Sequence, residues 1–436
     1  MSHPARLTVV AALLASQALG LAASATTPTS STTSSTTSDL QRYVVVLRDA
    51  TSDPGRLASA AAARHDGSVD HVYRSALHGY AVSVPRSQVA LLRLDPAVAY
   101  VVPDGAADPA QGKPAPPPPP AQVLPTGIDR IDGDATGPRG STDVDIAVVD
   151  TGIARHPDLN LVGGYWCGGS SASGYDADST GHATHVAGIA AAIDNTAGVV
   201  GAAPGARLWS LKVPDRKGVW TLSSAICALD WIAAKKDANG KPTIEVVNAS
   251  WDWTPGMSGY PGTPGPSDAT CGNAQNDPLH TAVCRLVKAG ITFVVAAGNG
   301  AADAHVNVPA GYAESFTVSA LADFDGKPGG LAASTCMQDV DDTMASYSSY
   351  GPDVDIMAPG TCITSTAPGG GLAVESGTSM AAPHVTGAAA RYLSTHPGAT
   401  PADVQRDLIL RATAQTLADD PDGISEPLVD LTDAAS

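Results

Sequence analysis

The chain has 436 residues, too many for one ordinary domain and enough for a large core plus an accessory piece. Acidic residues outnumber basic ones by 43 to 25, a formal charge of −18 that argues against a nucleic-acid binder and favours a soluble exported protein. The 6 cysteines include no C-x-x-C pair, which argues against a zinc ribbon or redox motif; in an exported chain an even set suggests disulfides.

Residues 1–25 read as a secretory signal: Arg6 supplies the charge, an apolar run follows to about Leu21, and Ala23-Ser24-Ala25 forms an A-x-A cleavage site. Ser16, Gln17 and Gly20 interrupt the run, which is short for a membrane anchor, and no later segment is long and apolar enough to cross a bilayer. The stretch 26–40 is a linker, Ser/Thr-rich over 26–38. Between 41 and 104 the pattern predicts strands at 43–47, 69–74, 80–84 and 98–102 and helices at 54–64 and 87–94. The order β-α-β-β-α-β is the ferredoxin-like split arrangement, here a small α+β domain. A proline-rich spacer over 105–121 is extended, a natural domain boundary and cutting site.

From 122 to 415 apolar strands are expected at 144–149, 208–213, 244–248, 291–296 and 316–320. Helices are expected at 182–193, 222–235, 279–289, 379–393 and 401–412. Uniformly apolar strands separated by helices indicate an α/β fold with a mainly parallel sheet covered on both faces. Ligands of such folds sit beyond the carboxyl ends of the strands. The remaining 416–436 form a short acidic tail to which no function is assigned. Local spacing suggests Cys271 paired with Cys284 and Cys336 with Cys362.

Four segments bear chemistry, each ambiguous alone. Ser379 lies among small residues in S-G-T-S-M-A-A-P-H-V, at a helix mouth, with Pro383 placed where a first helical turn tolerates it. Asp150 ends the apolar run D-I-A-V-V-D, either pointing out of the sheet edge or serving as a cap. His182 and His185 share one helix face in G-H-A-T-H-V-A-G, without the spacing and glutamate of a zinc protease motif. One of the pair is expected to be functional and the other packed; His182, at the helix start, is the more exposed and the candidate base. Asn299 closes V-V-A-A-G-N as a simple turn or as a donor into a cleft, where losing an oxyanion donor costs about 3–4 kcal/mol.

Taken together, D-T-G-I, H-A-T-H-V-A-G, A-A-G-N and G-T-S-M-A-A-P-H-V, with G-A-A-P-G-A-R-L at 201–208, resemble the blocks of the subtilases, the subtilisin-like serine peptidases. The order Asp150, His182, Ser379 is that of subtilisin. Y-V-V-V-L-R-D and V-A-Y-V-V-P-D similarly resemble the ends of that family's inhibitory propeptide, and I-D-R-I at 128–131 the start of a mature enzyme. The resemblance implies a secreted, self-processing endopeptidase, a likeness that makes Ser379 the nucleophile, His182 the base, Asp150 its orienting acid and Asn299 an oxyanion donor. It further implies that the propeptide assists folding, lays its tail through the cleft and is cut between Asp104 and Gln122. The partners implied are polypeptide substrates and the chain's own propeptide, with no nucleic acid, no membrane and a monomeric state.

Two departures from the family pattern stand out. Ala183 follows His182 where most relatives have glycine, a single methyl that should leave activity intact. Ser250, Trp251, Asp252 and Trp253 replace the usual S-L-G-G edge of the specificity pocket, so Trp253 is expected to narrow or reshape it, and Asp252 either to attract a basic residue or to point to solvent. Substrate is expected to lie extended along 249–251. No cofactor is required for the chemistry, and the metal ligands are unknown; Asp355 matches an acid that in several relatives binds structural calcium or sodium. Two rivals remain. An α/β-hydrolase esterase needs its base after Ser379, where only His384 and His396 stand. An exported non-catalytic peptidase-like binding protein needs lost catalytic residue types, and none is lost.

Overall fold

A computed structural model describes residues 40–48, 53–107, 121–133, 142–253, 271–272, 274–415 and 420–432. The expected leader 1–25, the Ser/Thr stretch 26–38 and most of the proline-rich spacer lie outside the described residues. Among the described residues no helix is long and apolar enough to cross a membrane.

The N-terminal module runs β1 (Leu40–Leu47), α1 (Pro54–Arg64), β2 (Ser68–Tyr73), β3 (Gly79–Pro85), α2 (Val89–Arg93) and β4 (Val98–Pro103), an antiparallel sheet of order β2-β3-β1-β4. Asp53 starts α1 by accepting the Gly55 N–H at 3.0 Å, with Pro54 in the first turn. The second expected helix splits into a 3₁₀ turn at Arg86–Gln88 and the short α2. The apolar run of β1 does not alternate because both its faces are covered. Tyr43, Val45 and Leu47 pack into the module's own core with Ala58 and Ala62 of α1. Val44 and Val46 join the core of the larger domain.

After β4 the chain makes β5 (Ala106–Ala107), paired antiparallel with Trp220–Thr221. The expected cut region continues into 108–120, outside the described residues. The larger domain then runs α3 (Thr126–Arg130), β6 (Asp145–Asp150), β7 (Leu161–Trp166), α4 (His182–Ala191), β8 (Arg207–Lys212), β9 (Trp220–Thr221) and α5 (Leu222–Ala234). It continues through β10 (Val246–Ala249), α6 (Pro278–Lys288), β11 (Thr292–Ala296), β12 (Phe316–Ala322), β13 (Thr343–Met344) and β14 (Ile356–Pro359). A hairpin of β15 (Ile363–Ala367) and β16 (Gly371–Glu375) precedes α7 (Thr378–Thr395) and α8 (Pro401–Arg411).

The main sheet has the order β13-β12-β11-β10-β6-β8-β7, with β14 also on β12; every pairing is parallel except β12 with β13. Along β6, Ile146 and Val148 face the core that holds α4 and α7, while Ala147 and Val149 face the core that holds α5 and α6. The chain moves from β6 to β7 and β8 on one side, then to β10 and β11 on the other. A crevice therefore opens beyond the carboxyl ends of β6 and β10. Helices α4 and α7 pack closely enough that a methyl on Gly387 would meet Ala202 Cβ at 2.5 Å and the Ala190 carbonyl at 2.8 Å.

Disulfides join Cys271 to Cys284 and Cys336 to Cys362, as the spacing suggested, and Cys167 to Cys227. The segment read as a tail is not detached. Leu428, Val429 and Leu431 are buried, and the Val429 N–H donates to the Met357 carbonyl of β14 at 2.9 Å.

The N-terminal module docks on α5. Buried Asp104 accepts the N–H and hydroxyl of Ser223 at 2.7 and 2.6 Å in the first turn of α5, and pairs with Arg42 at 3.3 Å. Asp230, on the same helix, accepts backbone N–H groups of Arg74, Ser75 and Ala76 from the β2–β3 loop.

Candidate active site

Asp150 is the last residue of β6 and fully buried. Its two carboxylate oxygens each lie 2.9 Å from Nδ1 of His182, the first residue of α4. In the neutral imidazole Nδ1 therefore carries the proton and Nε2 presents its lone pair. Nε2 is buried and finds no partner among the described residues. Burial pushes the His182 pKa down, but the charge and hydrogen bond of Asp150, with the charges of Glu375 and Asp178, outweigh it and raise the value to about 9.

A second carboxylate locks this corner. Asp178 Oδ1 accepts from Thr151 Oγ1 at 3.0 Å and from the Gly181 N–H at 2.9 Å. Its Oδ2 accepts from the N–H and hydroxyl of Thr184 at 3.0 and 2.7 Å. One side chain thus ties the residue after Asp150 to both flanks of His182. Ala183 is buried, its N–H donated to Thr151 Oγ1. His182 and His185 are both buried, so exposure does not separate them; partners do. His185 Nε2 donates to the Ile363 and Ala373 carbonyls at 3.0 and 3.2 Å, and burial lowers its pKa to about 3.

Ser379 follows Gly377 and Thr378 in the first turn of α7, where backbone N–H groups have no helical acceptor. Pro383 lies inside α7 rather than in its first turn. Lacking an N–H, it leaves the Ser379 carbonyl without its helical donor. Ser250 Oγ fills that place at 2.9 Å, held by Asn248 Nδ2 at 2.9 Å, with Asn248 Oδ1 accepting Thr386 Oγ1. In return Ser379 Oγ donates to the Ser250 carbonyl at 3.3 Å. The end of β10 and the start of α7 are tied at the serine itself.

Asn299, exposed just past β11, uses Oδ1 to accept the N–H and hydroxyl of Thr378 at 2.8 and 3.0 Å. That bond orients the amide and leaves its NH₂ without a partner among the described residues. Asp150, His182, Ser250, Asn299 and Ser379 all stand at the carboxyl ends of β6, β10 and β11 or at the helix mouths beside them. An oriented imidazole, a hydroxyl at a helix N-terminus and a spare amide donor are the parts acyl transfer needs. His384 donates to Met380 within α7 and His396 stacks on Tyr392, so the arrangement an esterase order requires is absent among the described residues.

Residues 141–427 match the Subtilase family and residues 18–107 match the Peptidase inhibitor I9 family. The chain belongs to the subtilases. It is similar to Subtilisin E of Bacillus subtilis strain 168, 35% identical over 76% of this chain and 75% of that one. The alkaline protease of Alkalihalobacillus alcalophilus is 35% identical over 76% and 73%, and the subtilisin of Bacillus pumilus 36% over 67% and 93%. Among solved structures, a cold adapted subtilisin-like serine proteinase superposes with a TM-score of 0.53 at 28% identity, covering 70% of this chain and 97% of that one. This subtilase is a serine endopeptidase made as a zymogen, with protein substrates and its own I9 propeptide as inhibitor.

Subtilases hydrolyse peptides without a cofactor. Asp355 is held by the protein's own donors and lies outside the acidic grouping of the described residues. Burial raises its pKa to about 6, and its oxygens accept the Thr317 N–H and Gln405 Nε2, both at 2.8 Å. Asp323, Asp325 and Asp341 instead bring one carboxylate oxygen each within 4.8 Å of one another, a grouping able to hold calcium, beside the buried Arg130 that pairs with Asp323 and Asp342. This group carries no sequence signature because its members are spread over two loops.

The pocket edge also differs from expectation. Trp253 is only 1% exposed and its backbone pairs with Val308, while Trp251 packs edge-on against it at 4.9 Å and against Trp220 at 6.2 Å. The indoles belong to the core behind the crevice, so Trp253 does not stand in the cleft to narrow it. Asp252, between them, is half-buried.

Proposed function

We propose that this subtilase cleaves peptide bonds by acylation of Ser379. His182 takes the hydroxyl proton and returns it to the leaving amine; Asp150 holds the tautomer and stabilises the imidazolium. The Asn299 amide and the Ser379 N–H bind the tetrahedral oxyanion. The Ser250–Trp253 edge receives the residues before the cut. Leader 1–25 directs export, 26–40 is a linker, 41–104 is the inhibitory module and 105–121 the segment where the enzyme cuts itself. Residues 122–415 carry the catalysis, and the packed 420–432 joins them as part of one core. The mature enzyme is secreted and monomeric, needs no nucleic acid or membrane, and takes polypeptides as substrates.

The observation that carries this reading is the 2.9 Å Asp150–His182 pair with a buried, unengaged Nε2, next to a helix whose first turn presents Ser379. Casein hydrolysis by wild type and its loss in Ser379→Ala, together with an unprocessed N-terminus in the variant, is the expected result. Equal hydrolysis or equal processing by both proteins would refute it and leave a binding protein as the better account.

A further inference from the structure

Asp252 is a half-buried carboxylate beside Gly298, without a counter-charge among the described residues. Its neighbours Trp251 and Trp253 turn their rings into the core, and the extended backbone at Trp253, bridged to Val308, sends the side chain between them the other way. Its Oδ2 lies over the backbone of Gly298, where a Cβ would stand 2.9 Å away. Gly298 has φ 107° and directly precedes Asn299, so a side chain there would both strain the backbone and fill the place the carboxylate occupies. Burial raises the Asp252 pKa. Neither a cation nor a hydrogen bond from another residue reaches Asp252 among the described residues.

Other withdrawn carboxylates around the crevice and under the N-terminal module have such partners. Asp150 has His182, Asp178 has its threonines, and Asp104 has Ser223 and Arg42. Withdrawing a carboxylate from water without a partner is costly, and the cost is recovered when a cation arrives. Glu375 on β16 is a second half-buried carboxylate, close enough to His182 for its charge to be felt there, and it adds to the negative charge near the site.

Resting on the reading of the site given above, we infer that Asp252 determines specificity by receiving the guanidinium or ammonium group of an Arg or Lys side chain. The position follows from geometry. The carbonyl attacked by Ser379 turns its oxygen to Asn299, and the side chain of the residue owning that carbonyl lies along the same strand end, where Asp252 stands. The substrates are thus polypeptides with a basic residue immediately before the cut.

The test uses the mature enzyme and four fluorogenic peptides that differ only before the cut, with Arg, Lys, Leu or Phe. Arg and Lys peptides should exceed Leu and Phe peptides in kcat/KM by about tenfold or more. Asp252→Asn should bring the ratio towards one, and Asp252→Glu should restore most of it. Benzamidine, a free amidinium, should inhibit wild type competitively and Asp252→Asn more weakly, so a poorly folding variant does not decide the matter alone. Casein hydrolysis by wild type with equal or better use of Leu or Phe would overturn the assignment while leaving the peptidase reading intact. No hydrolysis of casein or of any peptide would overturn both.

Discussion

Asp178 and Asp252 are both withdrawn carboxylates at the rim of one crevice, and they are treated in opposite ways. Asp178 accepts from Thr151, Gly181 and Thr184 and holds the Asp150–His182 pair rigid before any substrate arrives. Asp252 and the NH₂ of Asn299 are left without partners among the described residues. The proton-handling side is completed by the fold, and the recognition side is completed by the ligand. Preorganisation serves the first, because charge develops there at the moment of reaction. Unmet bonding capacity serves the second, because it makes the right substrate worth more than the wrong one.

The contrast can be broken at its satisfied carboxylates. Arg130→Ala should destabilise the protein by about 3–5 kcal/mol in urea unfolding, because Asp323 and Asp342 would lose a buried counter-charge. A loss below about 1 kcal/mol would mean that the pairing is dispensable. On the unsatisfied side, Asn299→Ala should lower kcat by about 10²–10³, roughly 3–4 kcal/mol, with little change in KM. An equal loss through KM alone would place the amide in ground-state binding.

Asp178→Asn sharpens the comparison further. One amide cannot accept what two carboxylate oxygens accept, so kcat should fall about tenfold. The pH profile distinguishes this from simple misfolding. His182 is held above its ordinary 6.5, so the imidazole stays protonated to higher pH and activity should rise only as pH passes that elevated value. Removing the Asp178 charge should move the acid limb of kcat/KM to lower pH, and Glu375→Gln should move it in the same direction with kcat otherwise nearly intact. An unmoved limb in both variants would contradict the shared field.

A further test concerns Glu426, buried with neither oxygen hydrogen-bonded to another residue among the described residues and with its pKa raised by burial to about 8. The native state holds that proton more tightly than the unfolded chain does, so stability should fall as pH rises from about 4.5 through 8. Glu426→Gln should raise Tm at pH 9 and leave it nearly unchanged at pH 4. The opposite dependence would show that the carboxylate is solvated.

Much of this was legible in residue order. The strand at β6, the helix at α4 and the small residues around Ser379 each follow from periodicity and size, and four ambiguous segments become one site because the parallel sheet brings their strand ends together. Strand β7 was not legible. Its Gly163 and Gly164 break the β-branched pattern, and they are there because a Cβ on Gly163 would meet the Trp209 ring at 2.7 Å. The role of Pro383 was misplaced for a related reason. Only the structure shows that its missing N–H frees a carbonyl for Ser250. The inward turn of Trp253 is not legible in the sequence, which places a side chain beside a site without saying which way it turns. Asp178 was missed because its work is done through hydrogen bonds to threonines scattered along the chain.

The most direct test of the central claim is labelling of the mature enzyme with a fluorophosphonate. One equivalent should bind, abolish hydrolysis, and be found by peptide mapping on Ser379, with His182→Ala preventing the reaction. A label on another residue, or full activity after stoichiometric labelling, would contradict the assignment of Ser379 as the nucleophile.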